Sequence, residues 1–498
     1  MGSEVPGKPS GSAPLQVFHI ASEYEGLVKT GGLADVARAL PAALQAQGCE
    51  TRVMIPCYRP LLDKKLPKIL QSLSVKLNLT ETFGCSVRVW DDGPVKVYLL
   101  EHNDFFDRDG IYDDGYWPYE DNPLRFALLT KAAFELCKVL DFRPDILHSH
   151  DWQTALTGYY HRVHYAGDPF FAGTRVAFNV HNGAYQGRCH ARWLSTLGLD
   201  PADFTSEKLE DHGEINLLKA GLALSDAIIP VSPGYADELL EESTSHGLWR
   251  QFRLHRSRLQ GILNGCDYGQ WNPETDRLIP ARYRADDLSG KARCKSALQA
   301  ALGLAPEPDR PLFGLISRLT DQKGFHYLIP ALHELLQYPV QIALLGSGDP
   351  HFAQQLHHLA ASHPGQVSFT DGYSDSLSHR IEAASDFFLM PSLFEPCGLN
   401  QIYSMRYGTL PIVRLTGGLR DTVVPLGKAM DNGDEATGLG FQAPQISELA
   451  AVLEQAVELY RQYPKLYRQL QQNAMRQRFT WEQAGTEYRA LYARLVRA

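Results

Sequence analysis

No apolar run in this chain approaches the ~18 consecutive residues that a membrane-spanning helix requires, which argues against an integral membrane protein. Basic residues are not in excess either. The 48 Lys and Arg stand against 57 Asp and Glu, and the net charge of −9 argues against a surface built for nucleic acid or anionic lipid. The eight cysteines (49, 57, 85, 137, 189, 266, 294 and 397) are scattered, and no C-x-x-C occurs. That pattern supplies neither a zinc site nor a disulfide framework, and it suits a reducing, cytoplasmic compartment. Residues 1–14 are rich in Gly, Pro and Ser and lack the apolar stretch of a secretory signal, so a disordered lead-in is expected there. What is present is ordinary for a soluble enzyme: 44% apolar and 21% charged residues over 498 positions, long enough for two or three domains.

Short aliphatic or β-branched runs alternate with amphipathic helical stretches. The expected strands of a first series are Gln16–Ile20, Thr51–Ile55, Val95–Leu100, Asp145–His148, Arg175–Val180 and Ala227–Val231. Those of a second are Leu312–Ile316, Gln341–Leu345, Gln366–Thr370, Asp386–Met390 and Leu410–Val413. Helical patterns such as Asp121–Leu140 and Ser447–Arg461 lie between them, an alternation that means parallel sheets covered by helices on both faces. The Asn-Gly and Asn-Pro punctuation in "ILNGCDYGQWNPETD" marks a linker between the series. The expected architecture is therefore α/β, with two Rossmann-like doubly wound domains. The first spans 15–260 and is completed by 479–498, and the second spans 261–478.

Ligands of open parallel sheets bind beyond the carboxyl ends of the strands. Polar, ionisable and glycine residues cluster there in this sequence. Lys29, Gly31 and Gly32 follow the first strand, Asp151 and Trp152 the fourth, and His181 and Asn182 the fifth. In the second half, Arg318 and Lys323, then Tyr373, then Glu395, Cys397, Gly398 and Leu399, then Thr416, Gly417 and Gly418 occupy the same kind of position. Seven such coincidences from two series of strands are explained best by one cleft between facing sheets. Arg318, Lys323 and Lys29 suit a phosphate anion, because Arg offers a fork and Lys a point charge. Gly31-Gly32, repeated by Gly417-Gly418, would let backbone N–H groups approach that anion at a helix start. Glu395, His181 and Asn182 suit sugar hydroxyls. Tyr373 suits either a stacked base or the core. No histidine is placed in sequence to activate the Cys397 thiol, so backbone contacts are expected there.

"KTGGLAD", "HNGAYQG", "SRLTDQKG", "FEPCGLNQ" and "GTLPIVRLTGGLRDTV" together resemble the bacterial glycogen synthase and plant starch synthase family, glycosyltransferase family 5, from about Val17 to Trp481. The resemblance implies a GT-B fold whose terminal helix crosses back to the N-terminal domain. It also implies a retaining transfer of glucose from ADP-glucose to the non-reducing 4-OH of an α-1,4-glucan. Lys29 and the Gly31-Gly32 amides would then face the donor phosphates, Arg318 and Lys323 would clamp the leaving diphosphate, and His181 would contact the glucose near its 6-hydroxyl. Glu395 would hold the glucose beside the Cys397-Gly398-Leu399 backbone, with Tyr373 on the adenine and Asp35, Trp152 and Asn182 toward the acceptor. No metal or other cofactor is expected, since two basic side chains can do a metal's work on the diphosphate. The expected partners are a nucleotide sugar and an α-glucan.

The position eight after Glu395 is Tyr403 rather than a second carboxylate, which disfavours the related transferases that carry an E-x7-E motif. A phosphorylase would need a cofactor-bearing lysine in a setting unlike that of Lys29. A decayed, non-catalytic glucan-binding protein would be expected to have lost some of the ionisable set. The aromatic, acidic stretch 103–122 reads equally as an acceptor platform or as an ordered surface loop. The run 246–261 is unusually basic for the family.

Overall fold

The apolar runs become strands at nearly the expected places in the computed structural model, which describes residues 14–91 and 93–497. The expectation for residues 1–14 falls, but for Pro14, outside them. In chain order the strands are β1 Gln16–Ile20, β2 Glu50–Pro56, β3 Lys68–Lys76, β4 Thr82–Trp90, β5 Lys96–Glu101, β6 Ile146–His150 and β7 Arg175–Val180. Three short ones follow, β8 Arg188–His190, β9 Glu210–Asp211 and β10 Glu214–Asn216, and then β11 Ala227–Pro230. The second series is β12 Leu312–Ile316, β13 Gln341–Gly346, β14 Val367–Asp371, β15 Phe387–Met390, β16 Leu410–Arg414 and β17 Leu439–Phe441.

The chain divides into two compact units. One comprises Pro230–Thr244 and Gly261–Gln483, and the other takes the remaining described residues, including Ser245–Gln260 and the C-terminal helix from Ala484 onward. The expected boundary at residue 260 is corrected for Pro230–Thr244, which the sequence pattern places in the first domain. Hydrogen bonds bind this segment to the second unit: the Ser232 hydroxyl donates to the Pro396 carbonyl at 2.6 Å and the Gly234 amide to Asp421 at 2.6 Å. Residues 479–483 also group with the second unit, where the Cys266 amide donates to the Phe479 carbonyl.

In the first unit the main sheet runs β11-β7-β6-β1-β2-β5-β4-β3. Its centre, β7-β6-β1-β2-β5, is parallel, while β4 pairs antiparallel with β5 and β3. The edge hairpin was not expected from sequence, because Lys68–Lys76 buries only alternate residues and reads as a polar segment. β6 runs two residues beyond its expected end, to His150, so that His148 and His150 share one face of the sheet. The basic run has a structural use: the Arg258 guanidinium donates to the carbonyls of Leu222, Ala223 and Ser225, the open C-terminal end of the helix Leu217–Leu224. The helix Trp481–Arg497 sends Tyr492 and Tyr488 to His148 and Asn179 on the sheet.

In the second unit the order is β14-β13-β12-β15-β16-β17, and every pair is parallel. The order reverses beside β12, the switch point where α/β sheets open for a ligand. Two apolar layers, one around Phe313, Leu344 and Phe387 and the other around Ala343, Phe388 and Val413, cover its two faces.

Candidate active site

In the first unit, the chain leaves β1 through a turn organised by a buried carboxylate that sequence reasoning missed. Glu23 accepts the Thr30 amide at 2.5 Å, the Thr30 hydroxyl at 2.6 Å, the Gly31 amide at 3.2 Å and the Tyr112 hydroxyl at 2.6 Å. Only its place three residues past a strand end could have flagged it. The turn delivers Lys29 to the surface, where its ammonium donates to Asp35 at 2.6 Å. Burial pushes the Asp35 carboxyl up to about 6 against the opposing pull of Lys29. Gly31 and Gly32 begin the helix Gly32–Ala46, and a Cβ on either would meet nothing within 4 Å. Gly31 is extended, at φ −156°, so neither backbone conformation nor crowding demands glycine there. The missing side chains leave room above a helix start.

Beyond β6, Asp151 takes a left-handed conformation (φ 54°) that is unusual for a residue with a side chain and is characteristic of functional turns. Its carboxylate accepts the His181 amide at 2.7 Å and the Asn182 amide at 3.4 Å, tying the ends of β6 and β7 together. Burial raises Asp151 to about 7, with those two amides pulling the other way. His181 is held neutral by burial, which lowers it to about 3, with repulsion from His148 adding to the effect. Trp152 packs edge-on against Phe126 and lines an open cavity of about 810 Å³ with Tyr119, Tyr185 and Arg192. The stretch 103–122 divides: Phe105 and Phe106 are buried, whereas Tyr116 and Trp117 are exposed.

In the second unit, two strand-end loops are knitted together. The Leu393 amide donates to the Gln322 carbonyl at 2.7 Å, and the Gln322 amide group to the Phe394 carbonyl at 3.1 Å. Gly324, left-handed at φ 77°, passes so close to Pro391 that a Cβ would sit 2.1 Å from its carbonyl oxygen. This arrangement brings Lys323 to Glu395. The ammonium donates to the carboxylate at 2.5 Å, the Ser392 hydroxyl donates to the same oxygen at 2.8 Å, and Glu395 is 7% exposed. Arg318 lies exposed at the end of β12, with no ion pair among the described residues. Tyr373 is 80% exposed, which excludes a core role. Burial pushes the Cys397 thiol up to about 12, so it is no nucleophile. Gly398 (φ 72°) and Leu399 lead into the helix Asn400–Arg406.

One expectation needs correction. Gly417 and Gly418 do not repeat the open device of Gly31-Gly32. The Gly417 amide and the Thr416 hydroxyl both donate to Glu238 at 2.7 Å, and the Gly418 amide donates to the Glu395 carbonyl at 3.0 Å. A Cβ on Gly417 or Gly418 would lie 2.1 Å from the carbonyl oxygen of Glu395 or Cys397 respectively. These glycines are there because two backbones touch, and a carboxylate already holds the helix start. Glu238 gave no signal in sequence.

Residues 16–253 match the family model of the starch synthase catalytic domain, and residues 303–477 that of the glycosyl transferases group 1. A glycogen synthase of Aeromonas hydrophila is 43% identical over 96% of this chain and 98% of its own. The chain belongs to the glycogen synthase and starch synthase family. The catalytic domain of starch synthase IV from Arabidopsis thaliana, solved bound to ADP and acarbose, matches with a TM-score of 0.89 at 33% identity, covering 97% of this chain and 100% of that one. A sucrose-phosphate synthase from Thermosynechococcus elongatus, at 18% identity and a TM-score of 0.58, shares the fold alone, covering 97% of this chain and 99% of its own. The fold is GT-B, as the paired Rossmann-like units imply. No helix among the described residues is long and apolar enough to cross a membrane.

Proposed function

We propose that this family member elongates an α-1,4-glucan at its non-reducing 4-OH with glucose taken from ADP-glucose. The supporting observation is in the second unit, where a lysine-bound, buried carboxylate and an exposed arginine stand at neighbouring strand ends. Breaking the bond between glucose C1 and the diphosphate oxygen leaves an oxocarbenium-like sugar and a departing diphosphate. The reading assigns the leaving group to Arg318 and Lys323, and the glucose hydroxyls to Glu395. Charge held in place before the reaction often lowers the barrier more than any other effect in an enzyme. The acceptor oxygen attacks C1 from the face of departure, and its proton passes to a leaving phosphate oxygen, which retains configuration. Tyr373, Thr416 and the 397–399 backbone are assigned to the nucleotide side. Asp35, Asp151, Trp152 and Asn182 are assigned to the acceptor side, Lys29 to the donor phosphates, and His181 to the transferred sugar.

The acceptor is assigned to the first unit's cavity, whose Trp152, Tyr119 and Tyr185 rings suit the apolar faces of glucose residues. The eight buried cysteines, which form no disulfide among the described residues, support a reducing, cytoplasmic setting. No metal is required, because two side-chain cations serve the diphosphate. The test is ADP release on glycogen from ADP-glucose, against UDP-glucose, with and without EDTA. The expected result is transfer from ADP-glucose that EDTA leaves unchanged. Glucan binding without nucleotide release, or phosphate-dependent glucan breakdown, would sink the reading.

A further inference from the structure

β1 and β6 place His19 opposite His148, and the strand alternation puts His150 on the same face. All three side chains are fully buried. Nitrogens of the three lie within 4.8 Å of one another, a spacing that suggests a metal site. The ring geometry argues against it. His148 and His150 stack face to face at 4.5 Å and 10°, so their in-plane lone pairs cannot converge on one ion. Both His148 nitrogens are also engaged: Nε2 donates to Asn179 Oδ1, and Nδ1 accepts from the Tyr492 hydroxyl.

The other two rings form a chain that ends on His181. His19 Nδ1 lies 3.3 Å from His150 Nε2, and His150 Nδ1 lies 3.0 Å from His181 Nε2. Burial and mutual repulsion hold all three rings neutral, so each carries one N–H. Two bonds and three protons then allow two arrangements. In one, protons point outward along the chain: His19 Nδ1–H donates to His150, His150 Nδ1–H donates to His181 Nε2, and His181 keeps its proton on Nδ1. In the other, every proton is reversed and His19 Nε2 carries an N–H. That nitrogen is buried and meets no hydrogen-bonding partner among the described residues. An orphaned buried N–H is rarer and costlier than an unused lone pair, so the outward arrangement prevails.

We infer that His150, backed by His19, is a positioning residue that fixes His181 as the neutral Nδ1–H tautomer, presenting a hydrogen-bond donor to the transferred hexose. The inference rests on the proposed reaction. A neutral donor holds a sugar hydroxyl without setting a full positive charge beside an oxocarbenium-like centre, as an imidazolium would. The histidines thus act through the electronics of one ring, while the Asp151 carboxylate fixes its backbone.

The direct test is the ring 15N spectrum of histidine-labelled protein, with His181 identified by its loss in His181→Asn. An Nδ1–H pattern is expected, and an Nε2–H pattern would overturn the assignment. Kinetics supply the second arm. His150→Leu should lower kcat by about 10–100-fold, the scale for losing the group that orients an active-site histidine, with the KM for ADP-glucose little changed. His150→Asn, whose amide can donate from the Nδ1 position, should recover most of that loss. Equal impairment of the two variants would overturn the proposal. The spectrum of the unsubstituted protein decides the matter whether or not the His150 variants fold. Absence of ADP release from the unsubstituted protein would remove the proposed reaction itself. Full activity in both His150 variants would remove only the tautomer assignment.

Discussion

Replacing Lys323 by alanine should damage catalysis and stability by separable amounts. Glu395 is nearly buried, and its Oε2 receives only the Lys323 ammonium and the Ser392 hydroxyl among the described residues. Removing the ammonium leaves a desolvated carboxylate with one neutral donor. Breaking a fully buried pair costs about 3–5 kcal/mol. The lysine side chain here retains 20% exposure, which brings the expected loss down to or just below the bottom of that range, about 2–3 kcal/mol. Glu395→Gln in the same background removes the stranded charge and should return most of that stability, a coupling that a double-mutant cycle reads directly. Activity should not return with it. Loss of one preorganised cation facing a developing anion lowers kcat by on the order of 10²–10³. The assay is initial ADP release at saturating ADP-glucose and glycogen, beside urea denaturation of all four proteins. A Lys323→Ala kcat within about threefold of the unsubstituted protein, far short of that range, would refute the leaving-group role. Recovery of activity in the double variant would show that the lysine serves only to neutralise Glu395.

The two glycine pairs should respond oppositely: Gly31→Ala should leave the denaturation midpoint nearly unchanged, within about 0.5 kcal/mol, while raising the KM for ADP-glucose. Gly418→Ala should destabilise the fold strongly, since its new methyl would meet the Cys397 carbonyl oxygen at 2.1 Å. Tyr373→Ala should weaken ADP binding by about 1–3 kcal/mol, the usual worth of a ring under a base, as read by calorimetry; unchanged affinity would free the tyrosine of that role. Asp151 titrates near 7 in the folded chain against 3.8 ordinarily, so the unfolded state releases this proton first. Its contribution to stability is complete below about pH 4 and falls as pH rises to about 7. Asp151→Asn should flatten that decline in denaturation curves measured from pH 4 to 8, and an unaltered slope would contradict the raised value.

Most of the parallel framework was legible because strands buried on both faces read as continuous apolar runs: β12, LFGLI, and β7, RVAFNV, lie where expected. The hairpin β3–β4 was not, since one of its faces is wet and its pattern is diluted with lysine and serine. At the site, Lys29, Arg318, Lys323 and Glu395 announced themselves by residue type at strand ends. Their partners did not. Glu23 and Glu238 act on amides brought close only by folding, and a carboxylate outside a motif resembles any solvated acid in sequence. The two Gly-Gly pairs look alike in sequence and differ in space, because crowding at a Cβ depends on a backbone far along the chain. His150 falls in a loop if β6 ends where its apolar run does, and the two extra residues create the shared face on which the histidine chain depends.

The closing helix has a consequence for how the protein is made. Tyr492 and Tyr488 are made 344 and 309 residues after His148 and Asn179, yet they supply the hydroxyls against those side chains in the middle of the first sheet. That sheet therefore stays unfinished until the helix Trp481–Arg497 has been made, with polar side chains at its centre waiting for partners. Translation halted ahead of Tyr488 would release a product in which His148 and Asn179 lack those partners.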